Sequence, residues 1–169
     1  MRAWESSLVV GMLQTADYAR HVFEAYADLH RSPRDIEEAV SVRVRRQELL
    51  YRGGKRFHVV LWEAALRARL CPPTVMAAQL DRLSGVIGLD TVILGIVPFE
   101  AALNLPPANG FWLYDERLVI AEDWHAEIWL DDPASVALYR RVWESLNRAA
   151  VHGPAAQRVI ARCRQALDT

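Results

Sequence analysis

The chain is poor in features that would place it at once. Its two cysteines, Cys71 and Cys163, lie far apart and fit no metal-ligand spacing. They read as small, reduced, partly buried hydrophobes. The five histidines are scattered and make no recognisable ligand set, so neither a metal nor another cofactor is expected. Neither sign of charge dominates: 20 basic and 21 acidic residues leave a formal net charge of −1. Without a global basic field, direct nucleic-acid binding is not expected. No apolar run approaches the roughly 18–20 residues that span a bilayer. The opening Met-Arg-Ala-Trp-Glu-Ser-Ser has no signal-peptide apolar region behind it. A cytoplasmic chain without membrane contact is the expectation. Also missing are a P-loop, a GxGxxG fingerprint, a GxSxG elbow and an HExxH pair. No serine stands in a nucleophile setting, which speaks against nucleophilic catalysis.

What is present is an ordinary globular composition, 52% hydrophobic and 24% charged over 169 residues. That suits one domain, residues 1–169, with a real core. Gln14 to Leu29 carries Tyr18, Val22, Phe23 and Tyr26 near helical spacing, with Thr15 as a cap. Ser32-Pro33 reads as the start of a second helix, acidic at its beginning and ending at Gly53-Gly54, with Arg43, Arg45 and Arg46 in its later half. Strands are expected over 57–61 and 91–97, with Pro98 closing the latter. A helix starts at Pro72-Pro73 between them. Residues 100–110 read as a loop. A hairpin follows, 111–114 and 118–121 around Asp115-Glu116-Arg117, then a further strand over 126–130. Helices close the chain, over 133–150 and from Gly153-Pro154 to Leu167. The fold class is α+β: a small, mostly antiparallel sheet flanked by several helices.

Three constellations could carry chemistry. Arg43, Arg46 and Gln47 sit at helical offsets of three and four and share one side of the second helix. Guanidinium beside amide grips carboxylate, phosphate or carbonyl oxygen; the same residues would equally solvate a surface or tie helix to sheet. Glu63 directly follows the buried-looking Val59-Val60-Leu61-Trp62, where a carboxylate needs a partner or a raised pKa. Arg43 or Arg46 would supply that partner; otherwise Glu63 becomes a ligand acceptor or general acid/base. Glu122 ends a hairpin strand and precedes Asp123-Trp124-His125, an attractive pocket edge. Of the six tryptophans, Trp62, Trp112, Trp124 and Trp129 fall in the sheet segment. They either fill core or line an apolar cavity with a few polar anchors.

Taken together, these segments resemble the uncharacterised C-terminal, effector-like domain that follows an Xre-type helix-turn-helix in actinobacterial transcriptional regulators. The matching residues are Val10 to Thr15 with Tyr18-Ala19-Arg20; Arg43 with Arg46-Gln47 and Leu49-Leu50; Glu63 to Arg67; Met76 with Gln79-Leu80 and Leu83; and Val92 to Phe99. Gly110-Phe111 and Glu122 extend the likeness. The sequence departs from the pattern in opening without the helix-turn-helix, in having Val10 where a proline is usual, and in the bulk of Trp62, Trp112 and Trp124.

The resemblance implies a domain that senses a small molecule or a partner regulator protein. Three readings stay open. The first is a binding module for a small hydrophobic organic ligand, anchored by Arg43, Arg46, Gln47, Trp62, Trp112 and Trp124, with Glu63 and Glu122 as further polar anchors. The second is a stand-alone cyclase or isomerase of specialised metabolism using the same pocket, with Glu63, Glu122 and His125 as acid/base groups. The third is a protein-binding or homodimerising module built on the 133–150 helix.

Overall fold

The computed structural model describes residues 1–32 and 35–167. One seven-stranded sheet organises it, in spatial order β6-β5-β4-β1-β2-β3-β7. The strands are β1 (Arg2–Glu5), β2 (Phe57–Trp62), β3 (Val92–Val97), β4 (Phe111–Tyr114), β5 (Leu118–Glu122), β6 (Glu127–Leu130) and β7 (Val151–His152). The pairs β1/β2 and β2/β3 are parallel, and the other four pairings are antiparallel. The α+β class and the antiparallel majority are as expected. The sheet is larger than expected by two short strands, β1 and β7, and β1 lies at its centre.

Parallel neighbours need a crossover between them. Between β1 and β2 it consists of α1 (Ala16–His30) and α2 (Ile36–Arg46), which runs into a 3-10 stretch over Gln47–Tyr51. Between β2 and β3 it consists of α3 (Glu63–Arg67) and α4 (Pro73–Val86). Thr15 caps α1, its side chain accepting the Tyr18 N–H at 3.3 Å. The expected opening of α2 at Ser32-Pro33 lies partly outside the described residues. The Gly53-Gly54 turn follows the 3-10 stretch rather than α2 itself. After β3 the chain returns to the far side of β1 and folds β4, β5 and β6 as a meander. α5 (Pro133–Ala149) then crosses beneath the sheet, and α6 (Gly153–Gln165) returns to the first face. Among the described residues no helix is long and apolar enough to cross a membrane.

Strand periodicity sorts the side chains into two cores. On one face Ala3, Val59, Leu61, Leu94 and Ile96 pack against Leu80 and Leu83 of α4 and Val159 and Ile160 of α6. On the other, Trp4, Val60, Val97, Phe111, Leu113 and Val119 pack against Val136, Trp143 and Leu146 of α5. β2 is buried on both faces, which explains its unbroken apolar run.

The α5 face also holds a histidine pair. His58 meets the Trp143 ring edge-on at 4.5 Å and His152 at 5.8 Å. Gly95 makes room for them, since a Cβ there would stand 2.6 Å from His152 Nε2. Burial, then the neighbouring His152, push His58 down to about 4, against the nearby Asn147 side chain, which favours the charged ring; Arg2 and the N-terminus add to the depression. Below its usual value of 6.5 the unfolded chain takes up a proton that the folded chain refuses. Stability therefore falls as pH drops from about 6.5 to 4, by up to about 1.4 kcal/mol per pH unit from this group. Urea unfolding at several acid pH values should show a shallower loss for His58→Leu than for the wild type. Parallel curves would exclude His58 as the cause.

Candidate functional site

Helices α4 and α6 close over β2 and β3, but the α1–α2 pair stands off from the other half of the same face. Between that pair and strands β1, β4, β5 and β6 lies an open cleft of about 1970 Å³. This exceeds the about 300–1,000 Å³ of a typical small-molecule pocket. Residues pointing into it follow from register. Ala3 pairs with Trp112, Trp112 with Ile120, and Ile120 with Trp129. That cross-strand row forms an aromatic floor. Tyr114 stacks beside Trp112 with the ring planes 12° apart. Phe23 and Tyr26 of α1 and Arg43 and Arg46 of α2 form the facing wall.

One end of the floor is acidic. Trp4 pairs with Phe111, Phe111 with Ala121, and Glu122 with Glu127. One position beyond Trp4 and Phe111, Glu5 meets Gly110, which has no side chain to keep it off. A Cβ on Gly110 would stand 2.2 Å from Glu5 Oε2. Glu5 therefore lies across the glycine, on the side where Glu122 stands. Burial above all, with Glu122 adding to it, pushes Glu5 up to about 8 against the opposing hydrogen bond from the Trp112 indole. Across the cleft the Arg43 guanidinium donates to Gln14 Oε1 at 2.6 Å and lies 4.1 Å over the Phe23 ring. Burial lowers the pKa of Arg43, nearby Glu122 raises it, and Arg46 adds to the lowering. At the rim Trp124, 70% exposed on the β5–β6 turn, stacks at 6.4 Å on Tyr26, which stacks in turn on His30.

Residues 1–162 match the family described as Domain of unknown function (DUF5753). The chain belongs to that family. No curated protein and no solved structure matches it.

Of the expected site residues in this DUF5753 chain, Arg43, Arg46, Trp112 and Glu122 share the cleft, and Trp124 stands on its rim. The others lie elsewhere. Gln47 is buried behind the wall, donating to the Gln14 carbonyl at 2.5 Å. It works with two other buried amides. Gln14 Nε2 donates to the Val9 carbonyl at 2.7 Å, while Gln79 accepts from Thr15 N and donates to the Leu13 carbonyl. The Gly11–Thr15 signature is thus a segment whose backbone is tied down by glutamines. Trp62 sits on the α5 face, edge-on to Phe99 at 5.6 Å. His125 is exposed on the β5–β6 turn and does not line the cleft.

Glu63 corrects the expected pairing with Arg43 or Arg46. It is 1% exposed at the start of α3. Its Oε1 accepts from Arg67 Nε and Nη2 at 2.8 and 2.6 Å, and its Oε2 from the Phe99 N–H at 3.0 Å. Arg162 approaches to 3.7 Å, and the Cys163 thiol lies 3.8 Å from Oε1. Burial pushes that thiol up to about 11; Arg67 opposes the shift and Glu63 adds to it. Both cysteines are free. Glu63 is the hub of an ion-pair cluster remote from the cleft, and it faces neither Glu122 nor open space.

Glu5, Phe23, Tyr26 and Tyr114 belong to the cleft and were not picked out from sequence, nor was Trp129 singled out as a ligand contact. The signal for Glu5 is faint: Arg-Ala-Trp-Glu does not alternate, and four residues are too few to establish a period. Among the described residues no group of three or more His, Cys, Asp or Glu side chains is placed to hold a metal.

Proposed function

We propose that this DUF5753 domain binds a small organic ligand in the cleft between the sheet and the α1–α2 pair. One observation carries the reading. The cleft gathers an aromatic floor, two guanidiniums and two carboxylates that are far apart in sequence into one solvent-accessible space. Apolar surface with a few polar anchors is how small-molecule sites are usually built. The resemblance to effector domains of Xre-type regulators supports control of transcription as the process served, in the cytoplasm. Contact with DNA would be left to a separate module or a partner regulator, in keeping with the near-neutral charge of this chain.

Native mass spectrometry of the purified protein tests the proposal. The expected result is a retained small molecule whose occupancy falls in Trp112→Ala and Trp129→Ala but not in Trp62→Ala. Occupancy indifferent to both cleft substitutions would overturn it. The Glu5–Glu122 neighbourhood favours a second reading, acid/base catalysis of an isomerisation or cyclisation on the bound molecule. A carboxyl group that keeps its proton at neutral pH is suited to act as a general acid. That reading predicts for Glu5→Gln a large fall in turnover with little change in KM.

A further inference from the structure

We infer that the ligand of this cleft is an organic cation: an apolar or aromatic body carrying a protonated amine, seated on the Trp112 ring with its N–H groups directed at Glu5 and Glu122. The inference rests on the cleft being a ligand site and names the chemistry that the site selects.

The acidic end of the cleft carries unanswered charge. Among the described residues no basic side chain pairs with Glu5 or Glu122 in a salt bridge. The hydrogen-bond donor to Glu5 is an indole N–H, and its charged neighbour is another carboxylate. Arg43 stands near Glu122, but it already donates to Gln14 and lies on Phe23. Two carboxyl groups side by side in a partly dry cleft cannot both ionise cheaply. Within the chain itself, burial and Glu122 leave the proton on Glu5 at neutral pH. A bound ammonium would resolve it better, offering donors to both groups and a full positive charge.

The aromatic setting of the acids also suits a cation. Cations bind over indole and phenol rings through the ring quadrupole, most strongly where water is displaced. Trp112 and Trp129 line the floor in the row next to the acids, Tyr114 lies one row further on, and Tyr26 faces them from α1. The titratable groups near the pair are Tyr18 and Tyr26 on α1, Arg43 on α2, Tyr114 on β4 and Glu127 on β6. Overall the lining holds seven carboxylates against four basic side chains. An anion would meet the two acids with Arg43 already engaged, and a neutral hydrophobe would leave them as they are. Arg46, exposed on the outer wall, remains for a polar oxygen elsewhere on the ligand.

Binding has a proton balance. The amine enters as its ammonium form, Glu5 loses its proton, and that proton passes to the buffer. No bond other than this O–H breaks. Phenethylamine serves as probe, with 2-phenylethanol and phenylacetate as its neutral and anionic counterparts. Titrations are followed by the indole N–H resonances, the Trp112 signal being assigned by Trp112→Phe. Calorimetry near pH 7 in buffers of different ionisation enthalpy counts the protons. The expectation is binding of phenethylamine at least about tenfold tighter than either counterpart, with close to one proton released. Glu5→Gln should weaken it about tenfold or more and abolish the proton release; Glu122→Gln should also weaken it. Equal binding of the three probes overturns the inference, as does undiminished binding by both variants or no response at about 10 mM phenethylamine. If native mass spectrometry finds a neutral or anionic compound lost in Trp112→Ala, the ligand site stands and the cation falls. If the cleft substitutions affect no compound of any charge, both fall.

Discussion

Glu5→Gln should make the protein more stable, and the gain should grow with pH. The wild-type carboxyl group has its pKa raised by burial and by Glu122, from 4.5 to about 8. Below pH 4.5 both folded and unfolded chains hold the proton, and the group has no effect on stability. Between 4.5 and 8 the unfolded chain releases the proton while the folded chain keeps it, so the unfolded state gains and stability falls as pH rises. Above 8 both states are ionised and the full penalty is present. Glutamine has nearly the same shape, stays neutral throughout and can still accept from the Trp112 indole. Since Glu5 is half-buried and water reaches the cleft, the expected gain is about 2 kcal/mol at pH 8, shrinking to nothing near pH 4.5. For a chain of this length that corresponds to a rise in Tm of about 4–8 °C. Thermal unfolding of both proteins across this range checks it. A difference that stays flat with pH would mean that Glu5 ionises normally. Gly110→Ala should act at the same point, because its methyl group would occupy the position of the carboxylate.

How far such a site could be anticipated depends on whether its contacts are local. Helices α1 and α5 are legible because their stops and starts are local chemistry: Thr15 accepting from Tyr18 N, and Asp132 accepting from Ser135 N ahead of Pro133. Strand β3 announces itself by an apolar, β-branched run. β1 does not, since Arg2 and Glu5 bracket only Ala3 and Trp4. Its central place is conferred by partners such as Val59 and Trp112, far along the chain. β7 has two residues and owes its existence to the edge that β3 leaves open.

The site shows the same division. Arg43 and Arg46 share a helix face, and helical spacing placed them together correctly. Glu122 depends on Glu5, so a reading that missed β1 also missed the carboxylate nearest to it. Glu63 fails for the opposite reason. Its partner Arg67 is four residues on, the simplest helical spacing there is, but the expected partner is Arg43 or Arg46 of the second helix, and the local pair is passed over. Trp62, Trp112 and Trp124 were grouped as sheet aromatics. Alternation and the β5–β6 turn send them to the α5 face, the cleft floor and the rim.

Glu63→Ala should be the most destabilising single substitution among the expected site residues, by about 3–5 kcal/mol, because it breaks a buried ion pair from the buried side. Three separate groups lose their partner. Arg67 loses both of its short hydrogen bonds, the Phe99 N–H loses its acceptor, and Arg162 is left to Glu100 alone. Arg67 and Arg162 are partly exposed and can recover some hydration. The Phe99 N–H has less recourse, and the cavity beside Cys163 remains. Glu63→Gln keeps the volume and an acceptor but loses the charge, so it should cost less, about 1–3 kcal/mol. An Arg67→Ala background separates the ion pair from the rest: in a double-mutant cycle most of the cost of Glu63→Gln should disappear, since the charge it removes no longer has its main partner. Denaturant unfolding gives all four stabilities. The same variants tell structure from chemistry. A residue remote from the cleft should lower stability while leaving the affinity of the remaining folded protein for cleft ligands unchanged. A Glu63→Gln protein with wild-type stability and impaired binding or turnover would instead return Glu63 to the functional site.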